Sequence, residues 1–309
     1  MKKSTATVAV QIEDLFIVKL SIVMPFLIPL LTKYVKIHSF LVDTIRTLMP
    51  WLISNVEDLP NVWIMKQVGN VVKERLRSET KQLDLLQLML DAATDDEVKD
   101  HDDNELMSKH LHYTEVLMNV FLFMVAGFGT TATMLAFCTY ILATEAEVHK
   151  KLQAEIDEHW QDNRKELNYD VIANMPYIDM FLREILRMYS FLGRTSDNFT
   201  SNCSGTIIMP DVHSVHHNID LWGPEDVNRF IPERHAVKRH PAALIAFGIG
   251  PRNCIGMRFA LMALKMSLTY LLHTYNILPG EKIPQGMTLR ETNVTEPKAI
   301  NVRLEKRLK

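Results

Sequence analysis

The 309-residue chain contains little cysteine, with three residues at positions 138, 203 and 254. The number is odd and the spacings are wide, so the sequence argues against a disulfide framework and favours a reducing compartment. The chain also lacks an excess of one charge, because its net charge is -3, and this gives no indication of nucleic-acid binding. The first 14 residues contain no apolar run of the signal-peptide type.

Apolar runs long enough to cross a membrane as one helix are scarce. Residues 15–31 are apolar, but Lys19, Pro25 and Pro29 interrupt the run and favour a buried or interfacial segment. Residues 116–144 contain no charged side chain and are a membrane-span candidate by length. The glycines and threonines of AGFGTTAT at the centre of this run favour a long buried helix, with a membrane span as the alternative.

The spacing of apolar residues predicts mainly helical structure, because hydrophobic residues make up 47% of the chain and recur at helical intervals. This pattern covers residues 71–91, 175–189 and 256–278. TIIMP at residues 206–210 predicts a short strand, and the tail from Pro279 predicts short strands and turns. The predicted fold class is mainly α with a small β part.

The stretch FGIGPRNCIG, from Phe247 to Gly256, places a cysteine directly before a helical pattern. Free N–H groups at the start of a helix stabilise an anionic sulfur, and Phe247 is placed to screen Cys254 from water. Gly250 and Gly256 allow close approach to a flat ligand, and Arg252 suits a carboxylate. These features fit a thiolate bound to a metallated macrocycle, with a buried inert cysteine as the alternative.

The spacing Phe-x-x-Gly-x-Arg-x-Cys-x-Gly matches the haem-ligand loop of the cytochrome P450 family at every fixed position. DLLQLMLD and ATEAEVHKKLQAEID are further similar to the microsomal family 3A, with thromboxane synthase as a cousin. The resemblance implies that residues 1–309 form a single partial cytochrome P450 domain. It would correspond to roughly the C-terminal three-fifths of that fold. The domain would then be N-terminally truncated, without the membrane anchor and the first helices.

The resemblance also implies a set of site residues. Cys254 would be the axial ligand of the haem iron. Arg194 would pair with a haem propionate. The other residues implied to contact the cofactor are Phe247, Gly250, Arg252, Gly256, Ala126 and Gly127.

AGFGTT resembles the helix on the oxygen side of the haem in this family. Thr130 aligns with the catalytic threonine that takes part in proton delivery. Gly129 departs from the family pattern, because most relatives carry an acidic residue there. The resemblance therefore implies a proton path in which one acidic link is absent.

Glu184 and Arg187 in REILRMY are spaced to share one helix face, and Arg234 lies in IPERH. In the family, such a trio has a structural role and holds the haem-bearing loops. HSVHHN supplies three histidines, at positions 213, 216 and 217, but no carboxylate pattern typical of a zinc site accompanies them.

The function implied by the resemblance is that of a haem b monooxygenase. It would insert one atom of O2 into a lipophilic substrate such as a steroid, a fatty acid or a xenobiotic. Electrons would come from NADPH through a flavoprotein reductase docked near Arg252, Arg258 and Lys265, with cytochrome b5 as a second partner. The implied location is the cytosolic face of the endoplasmic reticulum membrane. The alternatives are an inactive truncated family fragment and a reductase-independent isomerase of the thromboxane synthase type.

Overall fold

The computed structural model describes residues 60–78, 81–94, 111–160, 167–190, 211–251, 253–281, 283, 286–291 and 294–307, and the single residues 33, 37, 40 and 44. Contacts divide the chain into two units, Met1–Leu122 and Phe123–Lys309. The single domain predicted over residues 1–309 stays a prediction. The strand predicted at residues 206–210 lies outside the described residues.

The first unit contains helix α1 (Pro60–Arg77), helix α2 (Leu85–Asp91) and the start of helix α3 (Tyr113–Thr144). Strands β1 (Ala93–Thr94) and β2 (Leu111–His112) pair in parallel. The helical pattern over residues 71–91 therefore belongs to two helices. Asp84 separates them, because its side chain accepts a hydrogen bond from the Gln87 N–H at 2.9 Å and caps α2.

The second unit contains the rest of α3 and the following helices and strands. The helices are α4 (Ala146–His159), α5 (Tyr169–Ala173), α6 (Pro176–Met188), α7 (Val212–His216), α8 (Ile219–Trp222) and α9 (Met257–Thr274). Short 3-10 helices cover Pro232–Ala236 and Pro241–Ala243. The strands are β3 (Tyr275–Pro279), β4 (Leu289–Glu291), β5 (Thr295–Pro297) and β6 (Val302–Lys306).

The strands in the tail confirm the sequence prediction. Strand β3 pairs antiparallel with β6, and Ile277 lies opposite Leu304. Strand β4 pairs antiparallel with β5. The helical pattern predicted over residues 256–278 is helix α9 followed by strand β3, because Tyr275 leaves the helix in an extended conformation.

The core of the second unit is formed mainly by one face each of α3, α4, α6 and α9. Its fully buried members include Phe137 from α3, Leu152 from α4, Phe181 from α6 and Leu268 from α9. Such side chains each contribute on the order of 1.5–3 kcal/mol of hydrophobic stabilisation. The four helices that carry the sequence motifs are therefore held by one apolar cluster.

Helix α3 is only partly the buried helix that the sequence predicts. Its residues from Met134 to Leu142 contribute to the core, whereas residues 124–129 are all exposed. Among the described residues, this 32-residue helix alone is long and apolar enough to cross a membrane by length and composition. The prediction of burial is thus wrong for the centre of the helix and correct for its C-terminal third.

Polar side chains join the helices of the second unit. The buried carboxylate of Glu155 on α4 accepts hydrogen bonds from the N–H groups of Tyr177 and Ile178, at the start of α6. Lys265 on α9 donates to the Ala173 carbonyl at 2.8 Å and pairs with Asp179 at 3.2 Å. These contacts satisfy backbone groups at helix ends that have no partner within their own helix.

Candidate active site

The cysteine loop is a short turn fixed by backbone hydrogen bonds. The Cys254 N–H donates to the Phe247 carbonyl at 2.8 Å, and the Asn253 N–H donates to the Gly250 carbonyl at 3.1 Å. Gly248 has a φ of 78°, a conformation that favours glycine. Helix α9 begins at Met257, with Gly256 as its N-cap. The loop therefore presents the Cys254 thiol three residues before the helix.

The Cys254 thiol is free and exposed, in contrast to the buried Cys138. Burial raises the pKa of the Cys138 thiol, which makes that cysteine the inert one of the pair. The interpretation of Cys254 as a buried inert cysteine is therefore wrong.

Three exposed apolar side chains lie close to Cys254 in sequence. Ile249 is 57% exposed, Ile255 83% and Phe259 76%. A side-chain carbon added at Gly250 would meet no atom within 4 Å, and one added at Gly256 would meet only the Cys254 sulfur, at 4.0 Å. Phe247 is partly buried and packs against the core. The loop is thus anchored on its Phe247 side and uncovered around Cys254.

The centre of α3 carries the predicted oxygen-side residues on an exposed stretch. Ala126, Gly127 and Gly129 are exposed, and a side-chain carbon added at either glycine would meet nothing within 4 Å. The Thr130 hydroxyl donates to the Ala126 carbonyl at 2.7 Å. This bond uses the hydroxyl proton and leaves the lone pairs of the oxygen as acceptors. Arg194 and Arg252 lie outside the described residues.

The structure brings Glu184, Arg187 and Arg234 together as a buried ionic centre. Arg187 forms two hydrogen bonds with the Glu184 carboxylate, from Nε and Nη2, both of 2.8 Å. Arg234 Nε donates to the same carboxylate at 3.0 Å. The three side chains are completely buried, so their charges depend on one another for compensation.

Two further donors complete the ionic centre and were not predicted from the sequence. The Ile231 N–H donates to Glu184 at 3.1 Å, and His235 Nε2 donates at 2.9 Å. Burial raises the pKa of Glu184, but the hydrogen bonds from Arg187 and His235 outweigh burial and bring the pKa to about 2. His235 directly follows Arg234 in IPERH, so its position beside the motif was the only indication of this role.

Main-chain carbonyls bind further N–H groups of both guanidinium groups. Arg234 donates to the carbonyls of Trp222, Asp226 and Arg229, over 2.8 to 3.2 Å. Arg187 Nη1 donates to the His216 carbonyl at 2.9 Å. The two arginines therefore tie α6 and the 3-10 helix at residues 232–236 to the segment between α7 and that helix.

His216 is a second residue whose position the sequence did not predict. Its ring is buried, and both ring nitrogens are hydrogen-bonded, to Ser190 Oγ at 2.7 Å and to the Ile245 N–H at 3.0 Å. Burial and the neighbouring His217 and Arg187 lower the pKa of His216 to about 4. The three-histidine segment thus places one imidazole in the interior, in its neutral form near pH 7.

Removal of one member of the ionic centre should be strongly destabilising. Arg187→Ala leaves the buried Glu184 with fewer donors, and we expect a loss of about 3–5 kcal/mol in the free energy of unfolding. The matched control is Arg183→Ala, on the exposed side of the same helix, where the ion pair with Asp179 contributes about 1 kcal/mol or less. Urea unfolding of both variants measures the difference, and equal losses would contradict the structural role of the centre.

His216 should make stability depend on pH between its two pKa values. Its pKa is lowered from 6.5 to about 4 on folding, so the unfolded chain binds more protons in this window and stability falls as the pH falls. From about pH 7 to about pH 5, the wild type should lose about 2 kcal/mol more than His216→Gln. Urea unfolding at the two pH values measures this difference. Identical losses would show that His216 is not held neutral by the fold.

Comparisons with known proteins identify the family of this chain. The cytochrome P450 family model matches residues 9–303. The chain is 32% identical over 283 residues to cytochrome P450 3A12 of Canis lupus familiaris, covering 84% of this chain and 54% of that protein. It is 34% identical over 245 residues to cytochrome P450 3A29 of Sus scrofa, covering 75% and 47%. The chain therefore spans about half the length of the curated relatives it matches.

A solved structure gives the same fold. The crystal structure of a cytochrome P450 (CYP102L1) matches with a TM-score of 0.63 and 24% sequence identity, covering 79% of this chain and 55% of that one. This likeness confirms the predicted fold class, mainly α with a small β part, as the C-terminal portion of the cytochrome P450 fold. The match over residues 9–303 and the 3A relatives show the family directly: the chain belongs to the cytochrome P450 family.

Proposed function

We propose that this chain forms the haem-thiolate part of a cytochrome P450 monooxygenase, with Cys254 as the axial ligand of haem b. The observation that carries the proposal is the loop that presents this thiol. Its backbone is fixed by the hydrogen bond from Cys254 to Phe247, while the sulfur is exposed. A soft thiolate on a rigid loop is suited to binding haem iron.

The residues around the loop fit a haem. A porphyrin is flat and apolar on both faces, and Ile249, Ile255 and Phe259 present exposed apolar side chains close to Cys254 in sequence. Gly250 provides open space where a side chain would otherwise stand. On α3, Ala126 and Gly127 provide a second surface of small exposed residues. Arg194 and Arg252 are proposed to pair with the propionates.

When bound, the haem would supply oxygen activation, so that one atom of O2 enters the substrate and the other leaves as water. Thr130 would take part in moving protons. Its hydroxyl donates its own proton to the Ala126 carbonyl, so the lone pairs of the hydroxyl oxygen can accept a hydrogen bond from another donor. Gly129 has no side chain to carry a proton, so a water molecule in the space beside it would take that place.

The proposed substrate is lipophilic, such as a steroid, a fatty acid or a xenobiotic. The exposed centre of α3 supports this proposal, because Val125 is 50% exposed and Phe128 66%. An apolar surface of this kind next to Thr130 favours an apolar ligand over a charged one. We further propose that the protein acts at the cytosolic face of the endoplasmic reticulum membrane; its 3A relatives and the long apolar helix α3 support an association with a membrane.

The proposed electron source is NADPH, through a flavoprotein reductase, with cytochrome b5 as a second donor. One of the cations expected to face the reductase is buried. Lys265 is buried and engaged with Asp179 and Ala173, so the expectation that it contacts a reductase is wrong. Arg258 is exposed beside the cysteine loop, and we propose that it contacts the reductase.

The carbon monoxide difference spectrum of the reduced, haem-supplemented chain tests Cys254 as the ligand. We expect a Soret band at the long-wavelength position typical of thiolate ligation, because a thiolate donates electron density to the iron. Cys254→Ala should abolish this band. Cys138→Ala is the matched control, because it removes a buried thiol and should leave the band in place.

Two results would contradict the proposal. One is a chain without any such band, which would indicate a family member that does not hold haem by itself. The other is a thiolate band that persists in Cys254→Ala, which would assign the ligand elsewhere.

Charge reversal tests the reductase surface. Arg258→Glu should slow reductase-supported reduction of the haem several-fold at low salt, because it replaces attraction to an acidic partner by repulsion. Arg303→Glu, at an exposed position of strand β6, is the control and should have little effect. Stopped-flow reduction measures both rates, and the difference should shrink at high salt. Equal rates for the two variants would remove Arg258 from the docking surface.

A further inference from the structure

His216 connects two parts of the second unit that are far apart in sequence. A backbone N–H can only donate, so the bond from the Ile245 N–H requires an unprotonated Nε2 on His216. The ring proton of the neutral imidazole is then on Nδ1, which donates to Ser190 Oγ at 2.7 Å. Both ring nitrogens are used, and the side chain is completely buried.

On one side, the contacts of His216 lead to the cysteine. The Ile245 carbonyl accepts from the Gly248 N–H at 3.0 Å, which closes the turn that contains Phe247. The Phe247 carbonyl then accepts from the Cys254 N–H at 2.8 Å. The imidazole therefore holds the first residue of a short series of hydrogen-bonded turns that ends at the backbone of Cys254.

On the other side, the contacts lead to the ionic centre. Ser190 directly follows the C-cap residue of α6, and its hydroxyl is within 3.4 Å of the Arg187 carbonyl. The His216 carbonyl accepts from Arg187 Nη1 at 2.9 Å. His216 is thus bonded to α6 through its backbone, to Ser190 just after α6 through Nδ1, and to Ile245 before the cysteine loop through Nε2.

We infer that His216 is a positioning residue, which fixes the cysteine loop against α6 so that Cys254 is presented for haem binding. Only the part of this inference that concerns haem binding rests on the proposed function. The Ile245 N–H donates to His216 Nε2, and loss of the imidazole would take this acceptor away from a part-buried donor. The loop would then lose this attachment to the C-terminal end of α6, and its internal turns would open more often.

The first test uses amide hydrogen exchange in the chain without haem. His216→Leu removes the hydrogen bonds of both ring nitrogens and introduces an apolar side chain of comparable size. We expect the Ile245 and Cys254 amides to exchange roughly 5- to 100-fold faster, relative to core amides such as those of Leu152 and Leu268. His213→Leu, on the same short helix, is the control and should leave the Ile245 amide protected.

A second variant covers the case in which His216→Leu fails to fold. His216→Gln offers an amide oxygen that can accept from the Ile245 N–H, but it lacks the aromatic ring. It should restore most of the Ile245 protection. Ser190→Ala removes the partner of Nδ1 alone and should raise exchange at Ile245 by a smaller factor than His216→Leu.

The second test uses the haem-supplemented chain. His216→Leu should lower the fraction of haem with the thiolate-type carbon monoxide band and raise the rate of haem loss to an acceptor protein several-fold, with partial rescue in His216→Gln. Unchanged Ile245 exchange in His216→Leu would overturn the inference. An equal rise across all core amides would overturn it too, because it would indicate global destabilisation. A wild-type chain without the thiolate band would overturn the proposed function, and the exchange experiment would still decide the role of His216.

Discussion

The buried carboxylate of Glu184 is the interaction on which the arrangement of the second unit depends. A buried charge is tolerated only when opposite charge and hydrogen-bond donors surround it. The donors here come from α6 itself, from Ile231 and from the 3-10 helix that carries Arg234 and His235. If any one of these segments moved away, a buried charge of the centre would lose a partner. The centre therefore acts as one cooperative unit.

The cysteine loop depends on that centre indirectly. The loop itself is short and its sulfur is exposed, so few of its own side chains bury surface. It is held at one end by helix α9, whose Leu264 and Leu268 are in the core. At the other end it is held by Phe247 and by the Ile245 bond to His216. An exposed ligand residue is thereby supported by two anchors in the interior.

Part of this structure could be predicted from the sequence. The apolar periodicity identified α6 and α9, and the spacing of Glu184 and Arg187 placed both on one helix face. The motif IPERH supplied Arg234 as the third member. These successes share a cause, since each depends on short-range spacing or on a chemically unusual residue set.

The failures concern residues whose partners are distant in sequence. In the sequence, Lys265 occupies a polar position of an amphipathic helix. Its burial is possible only because Asp179 and the Ala173 carbonyl lie within bonding distance of its amino group. His216 is one of three histidines in a short segment, and its role depends on Ser190 and Ile245. Apolar spacing likewise cannot show that the centre of α3 is exposed, because an uncovered apolar surface and a buried one have the same sequence pattern.

The way in which Arg234 is bound has a consequence for sequence variation. Its Nη atoms are bound by the main-chain carbonyls of Trp222, Asp226 and Arg229, and every residue type can supply a carbonyl. Arg229 is exposed, so substitution there leaves its carbonyl in place for the guanidinium, whereas the Asp226 carboxylate also holds the turn by accepting from the Asn228 N–H at 2.9 Å. Selection would then act on the backbone path of this segment and on the residues that shape it, such as Gly223 and the buried Trp222, while an exposed position such as Arg229 is free to diverge.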